Sequence, residues 1–159
     1  MGFKFRLGLL VLGLFVLSGS SITPKHLEIK DVLSSLNSDR ALHGLAALNL
    51  DPTLNLAALA KAKDMAMKDY FAHTSPDGLD PWHWFNVLGY EYLYAGENLA
   101  QGFDDPRELE DHFMASVSHR ANILSPFYSQ VGLAVVNVKN TTVVVQLFGT
   151  KENKVTLRQ

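Results

Sequence analysis

The sequence predicts an α+β domain in which a small antiparallel sheet is covered by helices on both faces, and three observations carry that reading. Helix starts marked by a capping side chain followed by proline recur along the chain. The last third changes from a helical to an alternating apolar period, and the alternating segments are apolar on both of their sides. A sheet with one wet face alternates apolar with polar, so apolar residues on both sides call for cover on both.

The four helix starts are Thr23-Pro24, Asp51-Pro52, Asp80-Pro81 and Asp105-Pro106. In each, the cap oxygen accepts an N–H left without a partner in the first turn, and proline has no N–H to leave unpaired. After Pro24, Ile29, Val32, Leu33 and Leu36 step at helical spacing, and Gly44 offers a stop. After Pro52 the apolar face is Leu54, Ala57, Ala58, Ala62, Met65 and Ala66. Its small residues let another element approach closely, and Lys61, Lys63, Asp64 and Lys68 are assigned to the wet side. A shorter helix from Pro81 carries Trp82, Phe85 and Leu88 before Gly89, and one from Pro106 carries Leu109, Phe113 and Met114.

Beyond them, Val131, Leu133 and Val135 alternate with their neighbours, as do Val143, Val145 and Leu147, around a Lys139-Asn140 turn. This predicts a hairpin with Ala134, Val136, Val144 and Phe148 on its second face. A third strand is placed over residues 92–100. The domain is assigned to residues 28–150, and the polar stretch 151–159 to a frayed tail.

The first residues stand apart from this fold. Lys4 and Arg6 precede an apolar run over residues 7–17, followed by Ser18, Gly19, Ser20 and Ser21. A basic start, a short apolar run and a small-residue exit are the order of a secretory signal, assigned to residues 1–20. The run falls short of the ~20 apolar residues of a spanning helix, and serine stands at position 20 where a lipid anchor needs cysteine. The expectation is a secreted, extracellular domain; an uncleaved anchor is the competing reading.

Of 159 residues, 47% are hydrophobic and 19% charged, which suits one globular core. With no cysteine, that core must be held by packing alone, and any metal site must be built from His, Asp and Glu. Lys and Arg number 14 against 16 Asp and Glu, and loss of Lys4 and Arg6 with the leader makes the balance more acidic still. Nucleic acid is excluded as a partner on that ground.

Three segments interrupt this structural text with polar groups: residues 70–78 (YFAHTSPDG), residues 95–100 (AGENLA) and residues 116–124 (SVSHRANIL). In order, with the Asp51-Pro52-x-Leu54 helix start before them and the Val131-Gly132 hairpin after them, they resemble the CAP superfamily of cysteine-rich secretory, antigen 5 and pathogenesis-related proteins. The resemblance covers about residues 30–149 and is closest to short bacterial-type members without cysteine. It implies an α-β-α sandwich with an open cavity, lined in many members by two histidines and two acidic residues. His73, Glu97 and His119 match three of those positions, and the fourth, an acid on the helix before the second histidine, falls at Ser116.

Two neutral imidazoles with open positions suit zinc, which gives His73 and His119 as candidate ligands. Glu97 would hold a metal-bound water or fix a histidine tautomer. Two protein ligands make a weak site, so any zinc is expected to be weakly held. The alternative for the same residues is a hydrogen-bonded brace. Asp77 reads as a turn residue before Gly78, Arg120 and Asn122 as loop braces, and His26, His43, His83 and His112 as solvated or locally bonded. Trp82 beside Trp84 could stack a sugar, but its spacing to Phe85 favours core packing. Ser116 and Ser118 lack a nucleophile-elbow pattern around them.

Two functions are therefore weighed. One is a non-enzymatic extracellular binding or effector module with a cavity at His73, Glu97, Ser116 and His119 and an unidentified lipid, glycan or peptide partner. The other is an extracellular metal-dependent hydrolase with Glu97 as general base. The absence of a second acid at Ser116 and of a third ligand favours the first.

Overall fold

The computed structural model describes residues 27–152; the expected signal segment, the Thr23-Pro24 cap, His26 and the last seven residues lie outside them. The first described helix, α1 (Ile29–Leu42), opens after Glu28 and closes with Gly44 at φ 71°. Helix α2 (Pro52–Lys68) begins where expected, with Asp51 Oδ1 accepting from the N–H groups of Thr53 and Leu54. Helix α3 (Trp82–Val87) begins one residue after the expected Pro81, and its His83 N–H donates to Asp80 Oδ1 at 2.9 Å. Helix α4 (Pro106–Ala115) is capped by Asp105 in the same way as α2. The 116–124 segment forms a helix of its own, α5 (Val117–Ile123), after an extended Ser116 breaks the path of α4.

A four-stranded sheet runs in the order β1-β3-β4-β2, with β1 (Asn49–Leu50), β2 (Tyr92–Gln101), β3 (Gln130–Val138) and β4 (Thr141–Lys151). Its pairs are antiparallel except the two-residue parallel contact of β1 with β3, too short for a sequence pattern to reveal. Lys139 and Asn140, at φ 45° and 67°, form the tight turn between β3 and β4. That two-residue turn pairs Val138 with Thr141 and Leu133 with Gln146, so odd residues of one strand face with even residues of the other. The expected grouping of Val131 and Leu133 with Val143 and Val145 is thereby corrected. Val131, Leu133, Val144 and Phe148 share one face, and Ala134, Val143, Val145 and Leu147 the opposite one. Lys151 is not frayed: it ends β4 and reaches Asp51 at 2.8 Å.

Both faces are covered. Leu36 of α1, Leu109 and Phe113 of α4 and Ile123 of α5 pack on one, and Ala57, Ala58, Ala62 and Met65 of α2 with Phe85 of α3 pack on the other. The small face of α2 does let it approach closely, for a Cβ at Gly132 of β3 would overlap the Leu54 backbone. The assignment of Lys61 and Asp64 to solvent fails, since both are buried. Helical phase explains why: Ala58, Lys61, Ala62 and Met65 fall at i, i+3, i+4 and i+7, inside the apolar stripe. Among the described residues no helix is long and apolar enough to cross a membrane.

Candidate functional site

The site forms where the edge strand β2 meets the loop that follows α2. Helix α2 stops because Asp69 enters the left-handed region at φ 56°, with the Tyr70 N–H returning to the Met65 carbonyl. The chain is thereby turned toward β2. On β2, side chains alternate, so Ala95, Glu97 and Leu99 face α2 while Gly96 and Asn98 face α5. Glu97 and His73 meet at 2.6 Å between Oε1 and Nδ1, although their side chains differ sharply in exposure, 2% against 56%. Burial raises the pKa of Glu97, and the His73 bond and the Lys61 charge oppose that rise. An ionised Glu97 can only accept at Oε1, so in that state it pairs with the Nδ1–H tautomer of His73.

The strand is fixed to α5 by amides. Asn122 Nδ2 donates to the Glu97 carbonyl at 3.0 Å and to Asn98 Oδ1 at 2.9 Å, while Asn98 Nδ2 donates to the His119 carbonyl at 3.2 Å and to Gln146 at 3.1 Å. Tyr128 donates its hydroxyl proton to the Ala95 carbonyl at 2.9 Å. Gly96 makes this approach feasible, since a Cβ there would stand 2.5 Å from the Tyr128 oxygen and 2.8 Å from Asn122 Oδ1. The loop-brace reading of Asn122 thus describes its bonds, but Asn122 also faces the cavity.

His119, on α5, is half-buried with its ring edge-on to Phe113 at 5.1 Å. Its Nδ1 is buried without a partner, as is Glu97 Oε2. Burial lowers its pKa, with His112 and His73 adding to the effect, so its neutral form is favoured. Ser116 stands at the break between α4 and α5 without a side-chain capping bond, its hydroxyl 3.3 Å from that of Ser118. An open cavity of about 390 Å³ is lined by His73, Glu97, Gly96, Asn122, Pro81 and Trp82 among others; Ser116 and His119 are not among its lining residues. Trp82 packs edge-on against Phe85 at 5.7 Å, as its spacing predicted, and also lines this cavity.

The other polar residues mostly take structural places. Asp77 pairs with Lys68 at 2.5 Å in the turn before Gly78, Arg120 donates to the Met114 carbonyl, and His43 bonds the Asp39 carbonyl. The residue missed from sequence is Lys61, whose ammonium bonds the backbone carrying His73. Its place in the α2 stripe was the available signal.

A family model for CAP, the cysteine-rich secretory protein family, matches residues 33–148. The chain is 39% identical over 107 residues to the uncharacterized protein YkwD of Bacillus subtilis, covering 67% of this chain and 42% of that one. It is 30% identical over 112 residues to the uncharacterized membrane protein YlbC of the same organism, covering 67% of this chain and 31% of that one. The chain thus spans less than half the length of these curated relatives. Among solved structures, an outer surface protein from Borrelia burgdorferi superposes with a TM-score of 0.72 at 22% identity, over 77% of this chain and 92% of that one. An extracellular SCP-domain protein from Bacillus anthracis gives 0.69 at 26%, over 77% and 40%. NaASP2, solved with Zn2+, gives 0.54 at 15%, over 78% and 80%. Helix order, sheet and the matched span of residues agree, and the chain belongs to the CAP family of cysteine-rich secretory proteins.

Proposed function

We propose that this domain is a secreted, non-enzymatic binding or effector module whose cavity beside His73 and Glu97 takes a lipid, glycan or peptide. In this reading His73 and His119 also hold a divalent ion such as zinc, weakly. The observation that supports it is the pairing of a buried carboxylate with an exposed imidazole on the wall of an open cavity. Such a pair presents a polar anchor at a surface edged by Trp82 and Pro81.

For the metal, the orphaned His119 Nδ1 and Glu97 Oε2 are the atoms that an added cation would satisfy. Against tight binding, no group of three or more His, Asp or Glu among the described residues gathers closely enough to hold an ion. The donor set fits a loosely held ion at most, supplying positive charge for an anionic part of a ligand. The likeness in fold to NaASP2, solved with Zn2+, agrees with that part of the proposal. The hydrolase reading is weaker, because Glu97 Oε1 is committed to His73 and the Ser116 hydroxyl lies against Ser118 instead of supplying a second acid.

The test is a calorimetric zinc titration with thermal melts on His73→Ala, His119→Ala and Glu97→Gln, at about pH 5.5 and about pH 7.5, either side of the histidine range. Micromolar or weaker binding is expected at the higher pH, fading at the lower as protons compete for the imidazoles. Each histidine variant loses it without unfolding, and Glu97→Gln weakens it by about 10 to 100-fold. Lower melting temperatures with no zinc signal would reduce the three residues to a brace. Substrate turnover abolished by Glu97→Gln would establish the enzyme.

A further inference from the structure

Lys61 is 0% exposed. Burying an ammonium costs several kcal/mol unless its protons are bonded. Here three protons meet three acceptors: the Tyr70 hydroxyl at 3.2 Å, the Ala72 carbonyl at 2.9 Å and the His73 carbonyl at 2.6 Å. The Tyr70 ring lies 5.0 Å from Nζ, and its hydroxyl proton goes to Asp64 at 2.6 Å. Asp64 in turn pairs with Lys68 at 2.7 Å.

Two of the three acceptors are consecutive carbonyls of the loop that carries His73. Among the described residues, no backbone–backbone hydrogen bond involves residues 71–74. The His73 side chain is exposed, so packing does not fix its ring either. What holds the imidazole in place is a bond at each end: Lys61 on its carbonyl and Glu97 on its Nδ1.

We propose that Lys61 is a positioning residue of the cavity, its buried ammonium clamping the Ala72 and His73 carbonyls and so aiming the His73 imidazole at Glu97. A compact ammonium suits the task because its three protons diverge toward three acceptors, whereas a guanidinium offers a flat fork. Lys61→Met keeps the length and apolar stem but removes the donor that both carbonyls share. The proposal rests on the reading of His73 and Glu97 as the working pair of the cavity, not on what that cavity binds.

The test reads the His73 tautomer from the nitrogen-15 shifts of its two ring nitrogens, in metal-free protein and at mildly alkaline pH. The unmutated protein is expected to show the Nδ1–H form, selected by Glu97. In Lys61→Met the ring is expected to drift toward the Nε2–H form that free imidazole favours in water, and zinc affinity to fall about 10-fold, as for other supporting groups. A folded Lys61→Met with the His73 tautomer unchanged overturns the proposal. So does a freely exchanging Lys61 ammonium in the unmutated protein, whose protons must exchange slowly and show cross-peaks to the Tyr70 ring; that measurement decides if the variant does not fold. A changed tautomer with unchanged zinc binding would keep the clamp and refute His73 as a metal ligand.

Discussion

Replacing Glu110 by leucine is expected to stabilise the domain, and to do so increasingly as pH rises. Glu110 sits on α4, 0% exposed, and neither of its carboxyl oxygens has a hydrogen-bond partner. Burial first, then the nearby Asp39 of α1, raises its pKa from the ordinary 4.5 to about 8, with Arg107 opposing and Asp111 adding. The folded protein therefore keeps this proton up to about pH 8, whereas the unfolded chain releases it near pH 4.5. Between those values the folded state binds more protons, so stability falls as pH rises, at most ~1.4 kcal/mol per pH unit, and levels off above the folded pKa. By pH ~7 the accumulated loss is roughly 3 kcal/mol, a large share of the stability of a domain this size. Leucine cannot titrate and leaves no buried oxygen unpaired. Urea unfolding of both proteins at about pH 5 and about pH 8 measures this, read as midpoint and slope. The difference in stability is expected to grow in favour of the leucine variant by roughly 3 kcal/mol or more across that window. Parallel pH curves for the two proteins would refute the reasoning, as would a variant less stable at both ends.

Gly132→Ala is expected to destabilise by about 1–3 kcal/mol, since the new methyl would overlap the Leu54 backbone and push α2 from β3; a melt without loss of stability would mean that the helix can shift freely. Asp51→Ala should cost about 1–2 kcal/mol for the α2 cap alone, and more because Lys151 and Gln130 lose their partner. Asp51→Asn, which keeps a cap oxygen, should recover much of it in the same denaturation assay. Arg40→Met removes donors to the Ala46, Ile123 and Ser125 carbonyls and is expected to cost roughly 3 kcal/mol or more. Hydrogen exchange would then rise first in α5, which Arg40 ties to α1.

The sequence by itself determined the helices whose starts are marked by Asp-Pro, the hairpin turn at Lys139-Asn140 and the need to cover the sheet on both sides. These follow from local chemistry: a cap oxygen, a ring that fixes φ, an alternation of two residues. That His73, Glu97 and His119 belong to one region was anticipated only through motifs in order, and which histidine Glu97 holds was left for the fold to decide, because their spacing carries no geometry of its own. The tertiary structure alone decided how strand parity crosses the turn, that a two-residue strand joins β3, and that the 116–124 segment is a separate helix. It also decided the fate of single charges. Lys61 carries a charge that argues for water and a helical phase that argues for the core, and only the Ala72 and His73 carbonyls waiting inside settle the contest. Glu110 shows the opposite outcome, buried by the same kind of phase where no partner waits, so its proton stays on. Whether a buried charge finds its partners depends on residues brought together by folding, which adjacency in sequence does not encode.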